Sequence, residues 1–233
     1  MITVVLPTYD EREGIAAVVA DVLAVVRRAH LDAEVLVVDD DSPDGTAAHL
    51  AEVFRGDPAV RIAVRRGERG LASAIYHGLQ AARGEVLAVM DADGNHDPEI
   101  LPRMVRCAED FDVVVGSRFV PGGGMRTSAL RYWASYGFNL FIRAVLGQPV
   151  HDNLSGYLVF RREVLARLDA PAIFYGYGDY AIRFLRGVLR GGGRVLEIPT
   201  VYQHRKGGAS KTRFLAHFST YVGSVLRLRF AGR

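Results

Sequence analysis

The chain has one cysteine, Cys107, so no internal disulfide can form, as is usual in a reducing compartment. A zinc site built on clustered cysteines is excluded with it. Lysine is almost as scarce: there are two, Lys206 and Lys211, against 27 arginines, and both lie in one short loop, RKGGASK (205–211). No run approaches the roughly 20 apolar residues that a membrane-spanning helix requires. The N-terminus enters an apolar stretch without a positive leader, so no signal peptide is expected. No G-x-G-x-x-G follows the first apolar run, and no G-x-x-x-x-G-K-[ST] occurs. A dinucleotide dehydrogenase and a P-loop ATPase are thereby disfavoured. Histidines 77, 96, 151, 204 and 217 do not form a metal-spaced set, and His96 is the one expected nearest a site. The pI is basic, but no recognition motif points to nucleic acid.

What is present is ordinary globular composition, 49% hydrophobic and 24% charged over 233 residues, enough for a sizeable core. The net charge of +3 hides an asymmetry. Residues 1–117 carry 11 basic and 21 acidic side chains, and residues 118–233 carry 18 and 5. Two halves of opposite sign suggest two jobs and charged partners.

Short Val/Ile-rich runs at 2–6, 35–38, 60–64, 86–90 and 113–115 read as buried strands. Between them, 14–29, 46–54, 71–82 and 98–108 have helical spacing, the last with Asp97 as N-cap and Pro98 at the first helical position. This alternation predicts an α/β fold, with a mostly parallel central sheet and helices on both faces. Further on, helices are expected over 129–146, from about Arg162, over 178–189 and from about Arg213. Strands are expected at 157–160 and 194–201, the latter an edge or bent strand because of Pro199. Residues 1–211 read as one catalytic domain, divided into halves at 117/118, and 212–233 as a C-terminal amphipathic helix.

Polar clusters follow each of the first five strands, where ligands bind in open α/β sheets. After the fourth, DADGNH (91–96) places Asp91 and Asp93 on alternate residues, with Asn95 one alternate step further. Crowded carboxylates raise each other's pKa, and a hard divalent cation, Mg²⁺ or Mn²⁺, relieves this. A capped acidic turn is the alternative, and the position directly after a buried strand favours the metal. DDDSPDG (39–45) offers Asp39 and Asp40 to ribose hydroxyls or base N–H groups, with 42–45 forming the turn. PTYDE (7–11) offers the Tyr9 ring to a nucleobase, and Glu11, which alternatively starts a helix at its positive end. Arg118, Arg126, Arg131 and the 205–211 loop are the cations suited to phosphate oxygens, with a solvated basic face as the alternative. Cys107 reads as a core residue.

PTYDE, VVDDDSPDGT, RRGERGLASAIYHG, VMDADGNHDPE, VVVGSRFVPGG, LSGYLVFRREVL and RKGGASK together, in this order, resemble glycosyltransferase family 2, and within it the polyprenyl-phosphate (dolichyl-phosphate) mannosyl- and glucosyltransferases. The resemblance runs from about Thr3 to Lys211. It implies a GT-A fold and an inverting transfer from a nucleotide-diphosphate sugar to a lipid phosphate. On it, Pro7, Tyr9, Glu11, Asp39 and Asp40 would hold the nucleoside. Asp91, Asp93 and Asn95 would surround the donor's metal. Arg118 and Arg131 would receive the acceptor phosphate, and Arg205 and Lys211 would clamp the donor phosphates. The chain departs from the family pattern at Asp41, commonly Asn, at Gly94 and Asn95, commonly Leu then Gln or Ser, and at YGYGDY (175–180), where Asp179 stands in a usually Glu-bearing helix start.

The expected activity is transfer of a hexose, mannose favoured, from GDP-mannose, with UDP-glucose the second donor. A phosphate monoester with a second pKa of about 6 is largely dianionic at neutral pH and attacks without a general base. A hydroxyl acceptor would need one, with Asp179 first and Asp152 second. A non-catalytic nucleotide-sugar-binding protein is the alternative from another class. The stretch 214–226 lacks Asp, Glu, Lys and Arg, with Leu215, Phe218, Val222 and Val225 at helical spacing. It suits either a membrane interface or packing on the domain, and the aromatic stretch 132–141 is a second candidate surface. A peripheral membrane contact or a membrane subunit is therefore among the expected partners. The expected location is cytoplasmic, on the inner face of the cell membrane.

Overall fold

The structure, a computed structural model, describes residues 1–207 and 214–230. Its centre is a seven-stranded sheet in the order β3-β2-β1-β4-β7-β5-β8. The strands are β1 (Ile2–Thr8), β2 (Ala33–Asp39), β3 (Val60–Val64), β4 (Val86–Val89), β5 (Val113–Ser117), β7 (Leu158–Arg161) and β8 (Val195–Pro199). β1 to β4 are mutually parallel, β5 and β8 are parallel, and β7 runs antiparallel to both its neighbours. Every residue of β1 is buried, which explains its continuous apolar run: both faces of the sheet are covered.

On one face lie α3 (Leu71–Ala81) and α8 (Tyr180–Arg190). On the other lie α1 (Ile15–Arg28) and α4 (Leu101–Cys107). α2 (Thr46–Val53) joins β2 to β3, and the short α6 (Arg162–Ala166) and α7 (Ala170–Ile173) lead from β7 to α8. α3 sits so close to the sheet that a Cβ on Gly78 would overlap the Val5 and Val38 side chains. The expected helix 98–108 is divided into a 3-10 turn, Pro98–Ile100, capped by Asp97, and α4. Pro102, near the start of α4, has no N–H to donate to an earlier carbonyl, which suits such a break. β8 is an edge strand, as Pro199 implied. The chain leaves the sheet there, and β9 (Val201–Tyr202) pairs with β6 (Gly124–Met125) in a separate two-stranded ribbon.

The C-terminal helix α9 (Phe214–Phe230) packs on α5 (Ala129–Leu146) in a third core cluster with Ile182 of α8. Tyr221, Ser224 and Val225 are buried, while Phe218, Leu226 and Phe230 remain exposed. Of the stripe in the sequence pattern, Val222 and Val225 pack inward and Phe218 is exposed. Among the described residues, no helix is long and apolar enough to cross a membrane.

Gly78→Ala is expected to destabilise the protein by about 1–3 kcal/mol, the usual cost of an added methyl in a filled core. Urea unfolding of the two proteins measures it.

Candidate active site

A cleft of about 1070 Å³ opens along the carboxyl ends of β1, β2 and β4, and is closed by α5, α8, α9 and the 203–205 segment. Pro7, Tyr9, Glu11, Asp40, Asp91, Asp93, Asn95, Arg118, Arg131 and Arg205 all line it. Ten separated positions in the sequence thus share one wall system. Asp39, Asp179 and Lys211 are the expected site residues not placed there, for different reasons.

Asp39 is buried, and its carboxylate accepts the Ser42 N–H at 3.0 Å and the Ser42 hydroxyl. It builds the turn rather than facing the cleft, a correction to its expected ligand role. Burial pushes its pKa up, against the two Ser42 bonds. Asp41 adopts φ 52°, a left-handed conformation that Asn and Asp tolerate better than most residues, so it belongs to the same turn. Asp40 lines the cleft, with Oδ1 on Arg65 Nε at 2.7 Å and Oδ2 accepting the Gly70 N–H at 2.8 Å. Its carboxylate organises the 65–70 loop, whose Arg69 guanidinium lies 3.6 Å over the Tyr9 ring.

Asp91 ends β4. The antiparallel insertion of β7 brings Gly156 beside it, where a Cβ would stand 2.8 Å from Oδ1. About a third of the Asp91 side chain is open to the cleft. The surrounding walls still exclude most water, and this desolvation pushes its pKa up to about 6, against the pull of Arg118 and Arg205. Desolvation, and then the Asp91 charge, also raise Asp93. His96 accepts the Asp91 N–H on Nδ1 at 3.1 Å and stacks on Tyr157. Burial lowers its pKa to about 4, so it is neutral at pH 7. Asn95 donates its amide to Asp93 Oδ2 at 2.6 Å and its N–H to Oδ1 at 2.9 Å.

Arg205 reaches this cluster from the far end of the chain. It bonds both oxygens of Glu11, at 2.7 and 2.9 Å, and Asp93 Oδ2 at 2.6 Å. Its backbone is seated by the bonds Gln203 N–H to Asn95 O (2.8 Å) and Lys206 N–H to Asp93 O (3.0 Å). Residues 208–211 of the RKGGASK loop, Lys211 among them, lie outside the described residues.

Arg118 is gripped by Asp152 through Nε and Nη2 at 2.8 and 2.7 Å, with its backbone N–H on the same carboxylate at 3.0 Å. Burial pulls the guanidinium towards neutrality, and Asp152 outweighs this and holds it charged. Asp152 is thus the counter-ion of Arg118, which corrects its standing as a second base candidate. Arg131 lies in the first turn of α5, where Ser128 caps its N–H. Asp179 is buried behind the cleft wall, paired with Arg183 and accepting the Ser224 hydroxyl at 2.6 Å. For it to act as the base expected with a hydroxyl acceptor, this pairing would have to open. Sequence reasoning missed Tyr177, Tyr180, Tyr202 and Tyr221, which line the cleft from separate elements. For Tyr177 and Tyr180 the only signal was the local density of tyrosine and glycine at 175–180; Tyr202 and Tyr221 had none.

Hard oxygen donors converge at Asp91 and Asp93, and the missing side chain at Gly156 leaves a cradle against Asp91. Among the described residues, no group of three His, Cys, Asp or Glu could complete a metal site alone. The set fits Mg²⁺ or Mn²⁺ that takes its remaining ligands from substrate phosphates and water.

Residues 3–169 match Glycosyl transferase family 2. The chain belongs to this family. It is a glycosyltransferase of GT-A fold. It is 37% identical over 214 residues to the polyprenol monophosphomannose synthase of Mycolicibacterium smegmatis, covering 89% of this chain and 79% of that protein. It is 37% identical over 212 residues to the undecaprenyl-phosphate mannosyltransferase of Micrococcus luteus, covering 89% and 85%. Among solved structures, the mannosyl-3-phosphoglycerate synthase of Rubrobacter xylanophilus superposes with a TM-score of 0.71 at 25% identity, over 100% of this chain and 75% of that one. The glucosyl-3-phosphoglycerate synthase of Mycobacterium tuberculosis, in complex with Mn²⁺, UDP and phosphoglyceric acid, gives 0.72 at 20%, over 99% and 78%, a likeness of fold.

A carboxyl whose pKa is raised on folding weakens the fold once it is charged, above its folded value, and not below its unfolded one. Asp91→Asn is therefore expected to raise the melting temperature of the ligand-free protein at pH 8. The difference should shrink as pH falls through 6 towards 4. Thermal melts across that range test it.

Proposed function

We propose that this glycosyltransferase moves a mannosyl group from GDP-mannose to a polyprenyl phosphate, with inversion at the anomeric carbon and with Mg²⁺ or Mn²⁺. One observation carries the reading: carboxylates Asp91 and Asp93 share a single cleft with the cations Arg118 and Arg131. Two anions, a donor diphosphate and an acceptor phosphate, can be neutralised there from opposite sides. The names of the relatives, polyprenol monophosphomannose synthase and undecaprenyl-phosphate mannosyltransferase, support both sugar and acceptor.

Asp91, Asp93 and the Asn95 amide oxygen would hold the metal, which when bound stabilises charge developing on the leaving diphosphate. Arg205 supplies a guanidinium to the same phosphates, with Lys211 as a second cation. Pro7, Tyr9 and Asp40 form the nucleoside end. Arg69 stands there over Tyr9, and a guanidinium matches the paired acceptors O6 and N7 of guanine, which favours GDP over UDP. Arg118, prefixed in direction by Asp152, and Arg131 orient the acceptor phosphate for attack. No base is needed for a dianionic acceptor, and the engagement of Asp179 with Arg183 and Ser224 agrees with that.

The lipid acceptor calls for a membrane contact. Leu130, Trp133 and Leu140 on α5 and Phe218, Leu226 and Phe230 on α9 are exposed, with Arg227 and Arg229 beside the latter. An apolar surface with flanking cations suits an anionic bilayer, and the reading puts the chain on its cytoplasmic face.

Thermal shifts with GDP, UDP and their sugar conjugates, with and without Mn²⁺, should single out GDP-mannose with metal. Transfer to polyprenyl phosphate should be abolished by chelation and fall at least about 100-fold in Asp93→Ala. Arg131→Ala should raise KM for the acceptor about 10- to 100-fold, from the loss of a charge-assisted bond, and leave KM for the donor nearly unchanged. A protein that binds GDP-mannose yet transfers to no polyprenyl phosphate would overturn the reading.

A further inference from the structure

Tyr180 is the first residue of α8 and is 2% exposed. Its ring stacks on Phe174 at 5.7 Å between centroids. The residue before it, Asp179, is fixed by Arg183 and Ser224. The side chain is therefore held from both ends. Yet its hydroxyl has no hydrogen-bond partner among the described residues. A buried hydroxyl left unsatisfied costs about 1–3 kcal/mol, so a fold that positions one so firmly implies a partner from outside the chain. Tyr157 also has a hydroxyl without a partner, but it does not line the cleft, whereas Tyr180 does. The groups that act electrostatically on the Tyr180 hydroxyl are Asp91, Tyr202 and Tyr221, all of them cleft residues. Asp91 belongs to the donor side and Tyr221, on α9, to the acceptor side.

We infer that the Tyr180 hydroxyl binds a hydroxyl group of the transferred hexose. The inference rests on the proposed donor reading and adds a sugar-contacting residue to it. The hexose has to lie between donor diphosphate and acceptor phosphate, and Tyr180 lines the cleft that would hold both. Chemistry separates the ligands. Phosphate oxygens are matched by Arg118, Arg131 and Arg205, which offer full charge. A neutral phenol, both donor and acceptor, matches a sugar hydroxyl, which is also both.

The test is Tyr180→Phe, which removes one oxygen and no apolar packing. Calorimetric titrations with GDP and with GDP-mannose, each with Mn²⁺, are run beside thermal melts of the ligand-free protein. The variant should bind GDP as the parent does, bind GDP-mannose about tenfold more weakly, and melt at the same or a higher temperature. Equal weakening for both ligands, or unchanged affinity for both, would overturn the inference. So would a lowered melting temperature with unchanged affinities, which would reveal an internal partner for the hydroxyl. If the parent protein binds neither GDP nor GDP-mannose, the donor reading itself falls and the sugar contact falls with it. If the parent binds both equally well and the variant does too, only the sugar contact is lost.

Discussion

Carboxylates gathered at the ends of parallel strands repel one another, and in this fold distant arginines cancel most of that repulsion. Asp40 is held by Arg65, while Glu11 and Asp93 share Arg205, 194 and 112 residues away. Arg118 is charge-matched by Asp152. Each pair is also a geometric fixture. Arg65 sets the loop that carries Arg69, Arg205 ties the 203–206 segment to the cleft rim, and Asp152 aims Arg118. Among the described residues, no arginine is bound to Asp91, and the ring facing it, His96, is neutral. The residual cost appears as the raised pKa of Asp91, and a divalent cation is the natural remedy.

The opposite wall is aromatic and comes from elements that have little to do with the sheet. Tyr177 belongs to the segment before α8, Tyr180 is its first residue, Tyr202 belongs to β9 and Tyr221 to α9. The Asp179–Arg183–Ser224 cluster binds two of these elements together. α9 is consequently part of the cleft rather than an appendage. Its inner face completes a core with α5, and its outer face carries the exposed apolar side chains. One helix thereby links an exposed apolar surface to the wall of the site.

Much of the architecture was legible because burial leaves a strong imprint. The five parallel strands and α5 were placed correctly since fully covered strands read as Val/Ile runs and long helices show clear spacing. Pro199 announced an edge. The antiparallel placement of β7 was not legible, because a four-residue apolar run carries no direction. With it went the approach of Gly156 to Asp91. Asp91, Asp93, Arg118 and Arg205, singled out from charge at strand ends and in a glycine-flanked loop, do come together in one cleft. That Asp39 would be engaged by Ser42 and Asp179 by Arg183 and Ser224 was not legible, because a carboxylate that serves a turn or an ion pair has the same letter as one that serves a ligand.

The sequence by itself determined the chemistry available: an acidic first half, a basic second half, carboxylates after β4, and a single thiol, too few for a disulfide or a cysteine-built zinc cluster. These follow from residue type and from the short-range rule that strand ends face the ligand. Tertiary structure decided which of those charges remain available. Whether a carboxylate faces a cleft, an arginine or a serine depends on groups up to about two hundred residues away, and no local pattern encodes that distance. The same applies to Tyr180, whose buried hydroxyl acquires meaning only from what the fold places around it.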